Sequence, residues 1–298
     1  MEIIKYFRKL NFLSQLLLFL IIYFLILLIY DIIFIKENFE NSKIHFEDYN
    51  NSTLYDNFYS NIYDKIHNDN KKNTQIVEFI KENCNSPNSS TILDIGCGTG
   101  EIISKLSEFN IIGLDKSSSM IKICKKKNPD KKFINDDILN NQLFNYNYNF
   151  SHILCLNFTI YYFNNRKMFF KNVSELLMPN GILILHLIDK NKFNRMVNVC
   201  KLGSFNPCKY TNNRCIKSNI VFDDFEYKCN YTIEKNKGII DETFYFNNNS
   251  IRKNFHTLNL DDNKSILNEA RENGFLVDRQ IKIKEIDGEY LFILKKNL

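Results

Sequence analysis

The stretch Thr91-Ile92-Leu93-Asp94-Ile95-Gly96-Cys97-Gly98-Thr99-Gly100 limits the folds open to this chain more than any other. Its first five residues are β-branched, apolar or end-of-strand polar and read as a short buried strand. Glycines at every second position then forbid both a continued strand and an immediate helix, so a tight loop follows. From Glu101 to Phe109 apolar residues recur at Ile102, Ile103, Leu106 and Phe109, a helical spacing. A strand, a glycine loop and a helix start in succession aim backbone N–H groups at a ligand. The partial positive charge of the helix start favours an anionic one.

Two cofactor classes fit this unit. The dinucleotide fingerprint wants a tiny residue where the helix packs on the strand, and Glu101 occupies that position, which disfavours NAD. Asp94, two residues before the first glycine, instead sets a carboxylate beside the N–H donors, an arrangement suited to an amino-acid zwitterion. Ile111-Ile112-Gly113-Leu114-Asp115 is a second buried strand, and its terminal acid stands about 20 residues after the first glycine, where a ribose partner is expected. Phe133 to Ile138 reads as a third strand ending in Asp136 and Asp137, with Ile138 placed to lie against a base. Amino acid, ribose and base together make S-adenosylmethionine.

With these segments in order, the chain resembles the class I S-adenosylmethionine-dependent methyltransferases, in the broad group with a generic type 11/25-like methyltransferase domain. LDIGCGTG at 93–100 is similar to the family's first motif, GLDKSSSMI at 113–121 to its second-strand acid, and INDDIL at 134–139 to its adenine-contacting motif. LCLNFTIYYF at 154–163 resembles the fourth strand with its substrate-side loop, and LLMPNGILILHLID at 176–189 resembles the helix end, turn and fifth strand. The resemblance covers about 90 to 298. It implies a cofactor site at Asp94, Gly96, Cys97, Gly98, Gly100, Asp115, Lys116, Met120, Asp137, Ile138 and Asn157. It also implies a Rossmann-like α/β fold, a seven-stranded, mostly parallel sheet with helices on both faces.

Strands and helices alternate up to Asp189, which the right-handed crossover rule turns into a mostly parallel sheet whose ligand edge lies at the strands' carboxyl ends. Asp94, Asp115, Asp137 and Asn157 all fall at such ends. Between about 190 and 260 the alternation breaks into strand-favouring runs such as Ile220-Val221-Phe222 and Thr243-Phe244-Tyr245-Phe246. An antiparallel insertion after the fifth strand is expected to cap the pocket. A helix opened by Asp261 and Asp262 and stopped by Gly274, then a closing hairpin, complete the fold. Upstream, Leu54 to Cys84 carries two helical patterns, with Tyr55, Tyr59 and Tyr63 at four-residue intervals on one face. In the resembling enzymes such a helix closes over the cofactor, which makes Tyr63 a contact candidate.

Leu10 to Tyr30 contains no charged residue, and about 20 residues at roughly 1.5 Å each match a hydrocarbon core of about 30 Å. A single-pass transmembrane helix is expected there, dividing the chain into an N-terminal tail and span (1–35), a polar linker (36–53) and the methyltransferase domain (54–298). Lys5, Arg8 and Lys9 before the span and Lys36 and Lys43 after it do not fix its orientation. Access to the cofactor places the catalytic domain in the cytosol. The expected partners are the lipid bilayer, through 10–30, and a small-molecule or membrane-associated acceptor. The eight cysteines form no CxxC pairs, so no metal is expected. A net charge of +5 gives no strong nucleic-acid signal. The densest basic cluster, Lys122 to Lys132, reads as a solvated helix face or a contact for anionic headgroups.

Methyl transfer from a sulfonium is an in-line displacement, so alignment in a dry pocket matters more than any nucleophilic side chain. Where the acceptor must lose a proton, His186, near the outgoing end of the fifth strand, is the expected base. His152 begins the fourth strand at the wrong edge, and His256 lies in the insertion. The competing readings are a catalytically silent cofactor-binding membrane scaffold, an NAD-dependent oxidoreductase and an RNA methyltransferase.

Overall fold

The computed structural model describes residues 11, 14, 20–27, 46–67, 69–84, 90–140, 149–192, 217–284 and 288–297. Their core is a seven-stranded sheet that both its faces bury. Apolar residues run through β2 (Thr91–Ile95), β3 (Asn110–Asp115), β5 (Phe150–Cys155) and β6 (Leu177–Ile188) with almost no polar interruption, as strands covered on both sides require. Successive side chains point to opposite faces. Leu93, Ile153, Leu183 and Leu185 join one core, while Ile92, Leu154 and Ile184 join the other.

With β4 (Lys132–Asn135), β11 (Phe275–Lys282) and β12 (Glu289–Lys296), the strand order is β11-β12-β6-β5-β2-β3-β4. The ladders from β6 through β4 are parallel, whereas β12 runs antiparallel to both β6 and β11. The sheet is therefore mixed, mostly parallel with the expected hairpin at one edge. Order reverses between β2 and β5, where the chain leaves for β3 and β4 on one side and returns on the other. Such a switch point opens a crevice at the strands' carboxyl ends.

Helices α1 (Asn57–His67), α2 (Asn70–Asn83), α3 (Glu101–Lys105), α4 (Ser118–Lys127), α5 (Arg166–Leu176) and α6 (Asn263–Glu272) complete the fold. Their starts follow ordinary capping chemistry: Asp69, Ser117, Asn165 and Asp262 each accept a backbone N–H of the first turn. α3 is shorter than its periodicity suggested and stops at Lys105, although Phe109 is still buried. The third strand is likewise short, ending at Asn135, so Asp136, Asp137 and Ile138 lie in the turn beyond it.

The expected insertion is an antiparallel meander of β7 (Lys217–Val221), β8 (Phe225–Glu234), β9 (Lys237–Phe246) and β10 (Ile251–Asn259). It forms a second, five-stranded sheet whose fifth member corrects the linker assignment. Residues 46–50, read as linker, are β1 (Phe46–Asn50), paired in parallel with Ile251–Phe255 of β10. Its Phe, Glu, Asp, Tyr and Asn have no apolar alternation to announce a strand, because it is an exposed edge whose partner lies some 200 residues away in sequence. Phe225, Tyr227, Ile240, Phe244 and Leu258 of this sheet join the same core as α1 and the seven-stranded sheet.

Of the expected membrane span, residues 20–27 are helical with exposed side chains. The remainder of 10–30 lies almost wholly outside the described residues. Among the described residues no helix is long and apolar enough to cross a membrane.

Candidate functional site

The glycine loop turns directly over the end of β3. Gly96 and Cys97 donate their N–H groups to Leu114 O at 2.8 and 3.1 Å, and Gly98 N–H reaches Asp115 Oδ2 at 2.9 Å. The other Asp115 oxygen accepts Ser117 N–H at 2.8 Å. The expectation of freely presented loop donors is thus corrected in part, since the second-strand acid holds one of them. A Cβ on Gly96 would stand 2.6 Å from the Thr159 methyl group, so this glycine lets the 3-10 turn Thr159–Tyr162 pack against the loop. Gly98 differs: its φ is +55° and a Cβ there would meet nothing within 4 Å. That open side leaves the backbone there room to be approached by a ligand.

Asp94 and Asp115 lie close enough for their charges to interact, while Asp137 stands in the turn after β4. Asp94 is buried at the end of β2, and burial together with the nearby Asp115 charge pushes its carboxyl up to about 8. Burial also raises Asp115, against the two N–H groups that it accepts. One buried and one half-buried carboxylate with little counter-charge favour a cationic ligand. The ammonium and sulfonium groups of S-adenosylmethionine meet that need, and the open face of Gly98 admits its backbone-hugging portion. These residues therefore fit the cofactor. Asp137 orders the next turn by accepting Leu139 N–H at 3.0 Å, and exposed Lys116 lies 3.4 Å from its other oxygen. Ile138 and Met120 are buried, and Ile138 O is fixed by Asn172 Nδ2 at 2.8 Å. Cys97 faces Cys124 with the sulfurs 3.9 Å apart, and their contact together with burial holds its thiol protonated.

α1 lies across this cradle. Thr99 Oγ1 donates to Asp64 Oδ1 at 2.6 Å, Lys127 also pairs with Asp64, and Ser117 Oγ donates to Tyr55 O at 2.6 Å. Tyr63 is half-buried, its ring 4.6 Å from His67 and 6.2 Å from Tyr55. Asp64 and Tyr55 were not evident as site residues, because a surface acid and a tyrosine stripe on a helix are common packing features. Tyr162 was missed for the same reason.

Asn157 stands at the end of β5 with φ +47°, and its N–H donates to His186 Nδ1 at 3.2 Å. The His186 ring is wholly buried, with Nε2 3.0 Å from Glu289 Oε2. Lys72 stands 3.6 Å from the same oxygen. Burial lowers His186, so the imidazole is neutral. Burial would raise Glu289, but the Lys72 ammonium and the His186 contact hold it down at about 2. An imidazole whose two nitrogens face a backbone N–H and a carboxylate is a brace for the Asn157 turn. The expectation of a base at His186 is corrected on that ground: its acceptor nitrogen is occupied and its ring has no open side.

Residues 92–181 match the family described as "Methyltransferase domain". A carboxy-S-adenosyl-L-methionine synthase of Campylobacter hominis is 34% identical over 104 residues, covering 32% of this chain and 42% of that protein. The chain thus spans less than half the length of this curated relative. Among solved structures, an S-adenosylmethionine-dependent methyltransferase from Clostridium acetobutylicum superposes with a TM-score of 0.59 at 20% identity, covering 81% of this chain and 99% of that one. A S-adenosylmethionine-bound amino pentose methyltransferase from Micromonospora echinaspora gives 0.57 at 15% identity, with coverages of 82% and 98%. These two likenesses establish the fold. Residues 92–181 thus match a methyltransferase-domain family, and the chain has the fold of the solved S-adenosylmethionine-dependent methyltransferases.

Proposed function

We propose that the chain is an S-adenosylmethionine-dependent methyltransferase acting on a small acceptor enclosed between the glycine cradle and the five-stranded sheet. The observation that carries this reading is the convergence of buried Asp94 and half-buried Asp115 beside the open face of Gly98. Asp94 would neutralise the cofactor's ammonium, Asp115 would exchange Gly98 N–H for the ribose hydroxyls, and Asp137 and Ile138 would edge the base. The bound cofactor supplies an activated methyl on a positively charged sulfur. The chain's own task is to exclude water and align the acceptor, since charge disappearing from sulfur is favoured in a dry site. α1 and the 3-10 turn close the cradle from two sides, which suits a small acceptor better than a polymer. Calorimetry on the full chain tests the reading: Asp115→Ala should weaken S-adenosylhomocysteine binding at least about 100-fold, the loss of a bidentate charge-assisted contact. Well-folded protein that binds no such nucleoside would overturn it.

The uncharged run from Leu10 to Tyr30 supports a second element of the proposal, a membrane anchor that holds the catalytic domain on the cytosolic face near a membrane-associated acceptor. The exposed lysines of α4 offer an adjoining contact for anionic headgroups. Alkaline carbonate extraction checks the anchor: retention of the full chain in the membrane pellet is expected, and release into the supernatant would remove it.

A further inference from the structure

β10 breaks the usual inside-outside rule. Its inward positions are Arg252, Asn254, His256 and Leu258, all at most 4% exposed, while Ile251 and Phe255 sit on the less buried face. Polar side chains turned inward along a strand cost desolvation unless each is paired. They converge on Glu242 of β9, itself fully buried. Glu242 Oε1 accepts Tyr227 Oη–H at 2.8 Å, and Oε2 lies 2.9 Å from His256 Nε2 and 3.3 Å from Asn254 Nδ2.

With Glu242 ionised and His256 neutral, Nε2 carries its hydrogen toward the carboxylate and Nδ1 is the lone-pair nitrogen. Tyr162 Oη, 2.8 Å from Nδ1, therefore donates to it, and Tyr55 Oη donates to Tyr162 Oη at 3.0 Å. Every hydrogen in this file points one way, from Tyr55 through Tyr162 and His256 to Glu242. The other groups packed around the imidazole are Tyr59, whose hydroxyl is 3.3 Å from Nε2, and His67, 3.6 Å from Glu242 Oε1.

Its outer end stands at the cradle. Tyr162 closes the 3-10 turn whose Thr159 abuts Gly96, and the Tyr55 backbone carbonyl accepts Ser117 Oγ–H, which places the Tyr55 main chain beside the residue that caps α4 and whose N–H donates to Asp115. Both tyrosines are half-buried, whereas the inner pair is sealed. We propose that Tyr55, Tyr162, His256 and Glu242 form the proton exit of methyl transfer, and that the acceptor is accordingly an amine or hydroxyl bearing a hydrogen at the atom methylated. This rests on the methyltransferase reading above. As the new bond from acceptor to methyl carbon forms, the S–CH3 bond breaks with its electron pair returning to sulfur. The acceptor's proton passes to Tyr55 Oη, the Tyr55 hydrogen to Tyr162, and the Tyr162 hydrogen to His256 Nδ1. The positive charge lost from sulfur reappears on the imidazolium beside the Glu242 carboxylate, so the net charge of the site is unchanged.

The relay can be tested without the acceptor by using sinefungin, in which C–NH3+ replaces S+–CH3 and so places an N–H donor where the methyl would be. Calorimetry on the full chain in detergent micelles would compare sinefungin with S-adenosylhomocysteine across pH 6 to 9. In Tyr162→Phe and Glu242→Gln the preference for sinefungin should fall about tenfold, as expected for a lost charge-assisted hydrogen bond. S-adenosylhomocysteine affinity should stay within about twofold, and the pH dependence of the sinefungin preference, taken as the ratio of the two affinities so that the shared Asp94 titration cancels, should flatten. A purely structural network would lower both affinities together. Tyr162→Phe keeps the half-buried ring, so it carries the test even where Glu242→Gln fails to fold. An unchanged preference and pH profile in folded Tyr162→Phe overturns the relay. Failure of the wild-type chain to bind either nucleoside instead overturns the cofactor reading beneath it.

Discussion

Asp94 shows how a single side chain couples the site to pH. Its folded value of about 8 lies far above the ordinary carboxylate value of 3.8. The folded chain therefore binds this proton more tightly than the unfolded one. The associated stability is fully present below about pH 4 and is lost as pH rises through about 8. A ligand ammonium wants the ionised form, so binding below pH 8 should release a proton, and affinity should climb between about pH 6 and pH 8. Calorimetry in buffers of different ionisation enthalpy reads the proton directly. The glycines separate two kinds of constraint. Gly96→Ala should destabilise by about 1–3 kcal/mol, through left-handed backbone and the clash with Thr159. Gly98→Ala should cost about 1 kcal/mol, the backbone effect alone, while reducing cofactor affinity more than tenfold; thermal melts and calorimetry distinguish the pair. These cradle residues were legible because spacing after a strand constrains backbone shape. His186 misled for a local reason: its position at the strand's outgoing end was right, but sequence did not reveal Glu289 and Asn157 N–H on its two nitrogens.

Among the elements, α1 depends most on a distant partner. Arg252 of β10 donates to Asp56 Oδ2 at 2.7 Å, to Leu54 O at 3.1 Å and to Asn254 Oδ1 at 2.8 Å, and its guanidinium lies 3.7 Å from the Tyr49 ring centre. One side chain thus joins β1, β10 and the approach to α1. Arg252→Met should destabilise the protein by about 2 kcal/mol, less than a sealed ion pair because Asp56 is about one-third exposed. The amides of α1 should also exchange faster, a change hydrogen-exchange mass spectrometry detects. Helical periodicity and capping residues made α1, α2 and α6 readable from sequence, and a run of aromatic and β-branched residues announced the meander. β1 offered no such pattern, since an exposed edge strand needs no apolar face. The alternating Arg252, Asn254 and His256 did hold a signal, an inverted two-residue periodicity, which becomes meaningful only once the inward face is known.

Across the whole molecule, the seven-stranded sheet supplies the acids and shares one core with α1 and the five-stranded sheet, so binding at the acids and folding are linked. S-adenosylhomocysteine at about 100 times its dissociation constant should stabilise the chain by about 2.7 kcal/mol, seen as a raised thermal midpoint in scanning fluorimetry. The mostly parallel sheet and its closing hairpin followed from the alternation of elements, whereas the strand order and the joining of both sheets through one continuous core did not, because they depend on contacts between remote segments. The pairing of β1 with β10 also sets an order of events during synthesis. Phe46 must wait for Ile251, more than two-thirds of the chain later, so every cradle residue is synthesised well before the five-stranded sheet can be completed. A nascent polypeptide arrested ahead of that strand would carry the glycine loop and its acids while its own first strand still lacked the neighbour it pairs with.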